Sequence, residues 1–239
     1  MQRFAFACLA LAGTSLLATN SHAEARVFEP MDVFALQWVD SPRISPDGSR
    51  IVYQRMGFDI MKDRKRSSLW IVDANGSNHR PLASSGQGAA WSPDGRRLAY
   101  VARSDGSTQI QMHWMDSGQD ASITALTEAP GNLSWSRDGH WLAFTMRVPA
   151  EDAPLAAMPK APKGAEWAAP VKVIDRVIYR VDGGGYVDPG YTQVFVVSAD
   201  GGAARQITNG KHNFDGTPEW TADGKSLIVS ANLSDDWEY

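Results

Sequence analysis

Trp91-Ser92-Pro93-Asp94-Gly95, running into Leu98-Ala99-Tyr100, reads as strand, tight turn, strand. Proline presets φ for the turn, aspartate bonds its own backbone, and glycine takes the φ > 0 position. The serine ahead of them caps the turn. The phrase recurs as Ile44-Ser45-Pro46-Asp47-Gly48, as Trp135-Ser136-Arg137-Asp138-Gly139 and as Trp220-Thr221-Ala222-Asp223-Gly224. An apolar run follows each copy: Ile51-Val52-Tyr53, Leu142-Ala143-Phe144 and Leu227-Ile228-Val229.

A second phrase alternates with the first. Leu69 to Asp73 runs into Asn75-Gly76 and ends near Pro81-Leu82. Ile110 to Met115 runs into Asp116-Ser117-Gly118 and ends at Ala125-Leu126-Thr127. Val194 to Val197 runs into Asp200-Gly201-Gly202 and ends at Gln206-Ile207-Thr208. One unit therefore holds four short strands, the composition of a β-propeller blade.

The spacing agrees. The motif glycines Gly48, Gly95 and Gly139 lie 47 and 44 residues apart, within the blade period of about 40–50. Gly139 to Gly224 is 85 residues, but only one copy of the second phrase falls between them. We read this as one blade with an Ala/Pro-rich insertion near 149–170, carrying Pro149, Pro154, Pro159, Pro162 and Pro170. Such a stretch cannot hold a regular ladder. The expected fold is all-β: a partial β-propeller of about three four-stranded blades plus the start of a fourth, occupying 24–239. Closed propellers have about four to eight blades, so the chain reads as the front part of a longer protein. A β-sandwich with similar turns accounts less well for four copies in register. The aromatics Trp91, Trp135 and Trp220 are expected to pack blade against blade.

Residues 1–23 read as a signal peptide. Arg3 gives a positive start, Phe4 to Leu17 is apolar or small, and Ser21-His22-Ala23 suits cleavage after Ala23, with Ala25 as the alternative. Cleavage would remove Arg3 and no acid, lowering the formal charge of −4 by one. The one cysteine, Cys8, lies inside this apolar run, so the mature chain has no thiol for a disulfide, a nucleophile or a metal. Export without disulfides fits a periplasmic or secreted protein. Acids and bases are mixed along the chain, with no basic stripe for nucleic acid. No membrane partner is expected after cleavage, and the oligomeric state is left open.

The chain lacks the Gly-x-Ser-x-Gly elbow that places a hydrolase nucleophile between strand and helix. The mature histidines His79, His113, His140 and His212 lie singly, without metal-ligand spacing, and read as turn or surface residues. Asp182-Gly183-Gly184-Gly185 lacks phosphate-loop context and reads as a hairpin turn. The pair Asp235-Asp236 reads as a solvated loop. No catalytic, cofactor-binding or metal-binding residue is assigned, and no cofactor is expected.

The opening Asp32-Val33-Phe34-Ala35-Leu36, with Ser41-Pro42-Arg43 leading into the first motif, resembles the start of the propeller in the prolyl oligopeptidase family of serine peptidases. Ile178-Tyr179-Arg180, Asp182 to Tyr186, Gln193 to Val197 and Gly164-Ala165-Glu166-Trp167 resemble its acylaminoacyl-peptidase and dipeptidyl-aminopeptidase branch. The resemblance spans about 32–239. It implies a substrate-gating propeller ahead of a C-terminal α/β-hydrolase domain whose Ser-Asp-His triad hydrolyses short peptides. That domain is absent from this chain, so no triad residue carries over and the chain alone is expected to be inactive. The alternative is a TolB-type periplasmic protein-binding scaffold, since TolB-type propellers share the Ser-Pro-Asp-Gly repeats.

Overall fold

The computed structural model describes residues 27–150, 159–168, 173–174, 176–182 and 184–234. The signal peptide assigned to 1–23, part of the 149–170 insertion and Asp235-Asp236 lie outside them. Among the described residues the only helix is a 3-10 turn, Pro30–Ala35, and no helix is long and apolar enough to cross a membrane.

Three four-stranded antiparallel sheets follow in chain order. The first blade is β1 (Gln37–Ile44), β2 (Arg50–Asp59), β3 (Arg64–Asp73) and β4 (Arg80–Ala83), hydrogen-bonded in that order. The second is β5 (Gln87–Trp91), β6 (Arg97–Ser104), β7 (Ser107–Trp114) and β8 (Asp120–Ser122). The third is β9 (Pro130–Trp135), β10 (Trp141–Pro149), β13 (Gly190–Ser198) and β14 (Arg205–Gln206). A short hairpin, β11 (Arg180–Val181) with β12 (Gly185–Tyr186), interrupts the third blade between its middle strands. β15 (Glu219–Trp220) and β16 (Leu227–Ile228) begin a fourth unit. The long interval from Gly139 to Gly224 is therefore one blade with an excursion, as the single second-phrase copy implied.

Successive side chains on a strand point to opposite faces of the sheet, and the middle strands use both. In β6, Leu98 and Tyr100 pack with Val52, Leu69 and Ile71 of the first blade. Their neighbours Ala99 and Val101 pack with Leu142, Phe144 and Phe195 of the third. Phe144 is fully buried and stacks on Phe195, its cross-strand partner, with ring centroids 5.6 Å apart. A strand covered on both faces reads as a continuous apolar run, which is why the runs after each motif glycine barely alternate.

The motif turns repeat atom for atom. The Ser92 hydroxyl donates to the Asp94 carboxylate at 2.6 Å and accepts from the Arg97 amide at 2.9 Å, while the Arg96 amide donates to Asp94 at 3.0 Å. Ser45 with Asp47 and Ser136 with Asp138 do the same, and Thr221 stands in for serine beside Asp223. Gly48, Gly95, Gly139 and Gly224 all take φ between +67° and +73°.

The motif tryptophans join the blades. The indole N–H of Trp91 donates to the Arg43 carbonyl at 3.1 Å, that of Trp135 to Ala90 at 3.0 Å, and that of Trp220 to Ser134 at 3.3 Å. Each acceptor is the residue just before the motif of the preceding blade. Arginines reach the other way. Arg50 donates to the Gly95 carbonyl and lies 5.3 Å from the Trp91 ring centroid; Arg97 donates to Gly139 and lies 5.0 Å from that of Trp135. At the third junction this position is Trp141, 43% exposed.

The third blade's ladder pauses at Pro149 and resumes at Gly190, which are paired across β10 and β13. Gly190 has φ +142°, and a Cβ there would stand 2.5 Å from the Val148 carbonyl oxygen. The excursion thus spans 150–189, beginning with the proline-rich stretch and ending in the β11–β12 hairpin. Asp182 and Gly184 lie between its two strands, and the Gly184 amide donates to the Val181 carbonyl at 3.2 Å.

Candidate functional site

Antiparallel order divides the connections between two ends of the blades. The motif turns and the β3–β4 and β7–β8 turns share one end. The β2–β3 tip, the β6–β7 turn, the 150–189 excursion and the blade-to-blade links share the other. The first end is occupied by its own hydrogen bonds. The Asp47 carboxyl is held down to about 2, first by the Ser45 hydroxyl and then by Ser49. Asp94, Asp138 and Asp223 are lowered chiefly by Ser92, Ser136 and Thr221. These carboxylates are committed to turns.

The second end carries the candidate site. A pocket of about 250 Å³ opens there in the first blade, on the face turned away from the second. Arg55, half-buried on β2, and Arg66, exposed on β3, line it with Gln37, Ser68, Trp70 and Ser84. The Arg55 guanidinium lies 4.4 Å from the Trp70 ring centroid and donates from Nε and Nη2 to the Gln37 amide oxygen at 2.8 and 2.5 Å. Arg66 donates from Nε to the Phe58 carbonyl at 3.2 Å.

The other blades show why the space exists. Arg55, Ala102 and Met146 each lie seven residues after a motif glycine, and their cross-strand partners are Ser68, Gln109 and Gln193, so Ser68 stands where the later blades carry glutamine. Gln109, 4% exposed, donates to the Leu126 carbonyl and accepts from Thr124 and the Leu126 amide. Gln193, 1% exposed, donates to the Gly210 and His212 carbonyls and accepts from Thr208. Each glutamine ties the outgoing link to the third strand of its blade. Serine is too short to do so, and its hydroxyl accepts the Trp70 indole N–H at 3.1 Å instead.

The histidines are dispersed. His140 lies exposed in its motif turn. His79 stacks on Tyr53, and its Nε2 meets the Tyr53 hydroxyl at 2.5 Å. His113 departs from the expected surface position: it is 4% exposed on β7, with Nδ1 3.1 Å from Asp120. Asp120 also accepts from the Tyr100 hydroxyl at 2.9 Å; burial, then Asp120, raises the phenol's pKa. This trio has a triad's outline but no nucleophile, and it braces the outer strand of the second blade. The His212 Nδ1 is buried without a hydrogen-bond partner among the described residues. Among the described residues no group of three or more His, Cys, Asp or Glu is placed to hold a metal ion.

No family model matches the chain. An uncharacterized peptidase of Bacillus subtilis, YuxL, is 28% identical over 208 residues, covering 85% of this chain and 31% of its own length. Dipeptidyl-peptidase 5 of Porphyromonas endodontalis is 22% identical over 133 residues, 54% of this chain and 19% of its own. A solved acylaminoacyl peptidase, bound to a chloromethyl ketone, superposes on 82% of this chain with a TM-score of 0.59 at 14% identity, which shows shared fold. These matches support a prolyl oligopeptidase-family N-terminal propeller region. The chain spans about a third or less of the length of each peptidase it matches. The Tol-Pal protein TolB of Hydrogenovibrio crunogenus is 37% identical, but over 68 residues, 27% of this chain.

Proposed function

We propose that this peptidase-family propeller gates substrate for an exported serine peptidase that hydrolyses short peptides of acylaminoacyl or dipeptidyl type. The triad belongs to an α/β-hydrolase region outside these 239 residues. One observation carries the reading: YuxL aligns with 85% of this chain but with only 31% of itself. The absence of a nucleophile elbow from this sequence supports it. Restricting access is a role open to a ring of blades set over an active site, and the connecting end, with the 150–189 excursion, is the end that varies from blade to blade. The signal-like leader supports a periplasmic or secreted location. The TolB-type scaffold is the weaker reading, because a 68-residue match covers little more than one repeat and shared blade grammar is enough to produce it.

The test compares two proteins: the 239-residue chain, and the product of the complete reading frame that encodes it. Both are assayed on aminoacyl, dipeptidyl and N-acylaminoacyl chromogenic substrates and labelled with a serine-directed fluorophosphonate. Hydrolysis and labelling are expected only in the complete product. Turnover by the 239-residue chain that survives repurification, or a complete product with neither signal, overturns the proposal.

A further inference from the structure

Two Asn-Gly pairs occur in the sequence, Asn75-Gly76 and Asn209-Gly210. Glycine after asparagine removes the Cβ that would hinder attack of the next backbone nitrogen on the side-chain amide. Both asparagines are exposed, so hydrogen bonding is what separates them. The Asn75 amide oxygen accepts from the Ser77 amide and hydroxyl at 2.9 and 2.6 Å, and the Gly76 amide donates to the Asp73 carbonyl at 2.8 Å. Electrophile and nucleophile are both tied inside one turn. Asn209 has neither restraint. Among the described residues its side chain makes no hydrogen bond, and the Gly210 amide has no acceptor.

The second blade shows the cause. Thr124 and Thr208 hold the same place against Gln109 and Gln193, so Leu126 is the counterpart of Gly210. The Leu126 amide donates to Gln109 at 2.8 Å. Gly210 has φ +104°, a conformation open chiefly to glycine; its carbonyl still meets Gln193 but its amide does not. Ala125, the counterpart of Asn209, is exposed although blades pack on both faces of its own. The exposure of Asn209 therefore belongs to this position in a blade's outgoing link, not to an open edge.

From this geometry we infer that Asn209 is a site of self-modification, converting by deamidation to aspartate and isoaspartate. The Gly210 nitrogen gives its proton to hydroxide and attacks the Asn209 side-chain amide carbon. The new C–N bond closes a succinimide. The bond from that carbon to Nδ2 breaks, and the nitrogen leaves as ammonia with a proton from water, which restores the hydroxide. Water then opens the ring at one of its two carbonyls, giving aspartate or isoaspartate, so one water is consumed for each ammonia released. Isoaspartate routes the main chain through the side-chain methylene and adds a negative charge. The insertion falls between two groups held by one side chain: the Thr208 hydroxyl donates to the Gln193 amide oxygen at 2.8 Å, and Gln193 donates to the Gly210 carbonyl at 3.2 Å. A main chain lengthened there strains that clasp and loosens the link from the third blade to β15. The inference does not rest on the peptidase reading.

Peptide mapping of the complete gene product tests it, after incubation at mildly alkaline pH both folded and in concentrated urea. The readouts are a mass gain of about one dalton at each asparagine and methyl transfer from S-adenosylmethionine by an isoaspartyl methyltransferase. In the folded protein Asn209 is expected to convert about tenfold faster than Asn75, the factor that one retained hydrogen bond is worth. In urea, where only the shared Asn-Gly pair acts, the two should convert at similar rates. Asn209→Gln must close a larger ring and should remove the methyl-transfer signal from its peptide. Asn209→Asp adds the charge without lengthening the chain. It should keep the hydrogen-exchange protection of the Val194 amide, which donates to Thr208 Oγ1 at 2.9 Å, while the isoaspartate form loses it. Equal rates in the folded protein, Asn209 intact while Asn75 reacts, or an undiminished signal in N209Q overturns the site. Equal Val194 protection in the aspartate and isoaspartate forms overturns the loosening of the link.

Discussion

The indole N–H of Trp135 donates to the carbonyl oxygen of Ala90, 45 residues earlier and one blade back, at 3.0 Å. The Arg97 guanidinium lies over the same indole while its Nη2 donates forward to Gly139. The junction between the second and third blades is therefore locked in both directions through one ring, as is the junction before it.

Trp135→Phe keeps a ring for Arg97 but removes the donor, leaving the Ala90 carbonyl without it. We expect a loss of about 1–2 kcal/mol, read as a lower midpoint in chemical unfolding. Trp91→Phe should behave alike. An unchanged midpoint in both would mean that the indole hydrogen bonds contribute nothing.

Gly95 sits at φ +67°, where a side chain is strained even though a Cβ would touch only Pro46 Cδ at 3.5 Å. Gly95→Ala should cost about 1–2 kcal/mol and Gly95→Asn less, because asparagine tolerates the left-handed region. Gly95→Val should cost the most. Equal stability of the alanine and asparagine variants would point to a contact rather than to backbone strain.

Gly190 is a harsher case. Its φ of +142° and the 2.5 Å gap to the Val148 oxygen mean that a Cβ meets backbone that cannot move without breaking the β10–β13 ladder. Gly190→Ala should cost at least about 2 kcal/mol. Hydrogen exchange should show the amides of 192–198 exposed first; uniform protection would argue against a local origin.

Acid should loosen the motif turns. The Asp47 pKa is lowered from 3.8 to about 2, so its contribution is present above pH 4 and is lost as pH falls through about 2. Asp94, Asp138 and Asp223 are shifted the same way. The thermal midpoint should therefore fall between pH 4 and 2. Ser92→Ala should raise the Asp94 titration midpoint seen by carboxyl carbon NMR, since Ser92 is the largest cause of its shift. An unmoved Asp94 would refute the hydroxyl's role.

What the sequence determined by itself is local and periodic. Ser-Pro-Asp-Gly closes its turn with hydrogen bonds inside six residues, so Ser92 to Arg97 announces strand, turn, strand without outside help. Counting such turns predicted the three blades and the start of the fourth, and the lone second phrase showed that 139–224 holds one blade. The tryptophans could be read as packing residues because they recur at one position.

Tertiary structure decided what depends on distant chain. The acceptors of Trp91 and Trp135 lie a full blade away, and a backbone carbonyl carries no side-chain signature in the sequence. His113 looked like an isolated turn or surface histidine until the β6–β7 register placed it near Tyr100 and the β7–β8 register paired it with Asp120. The pocket depends on what is missing at Ser68, and that shows only when Gln109 and Gln193 are seen bracing the equivalent links. Arg55 and Arg66 come together because β2 and β3 are antiparallel neighbours in a register that pairs Arg55 with Ser68 and Gly57 with Arg66.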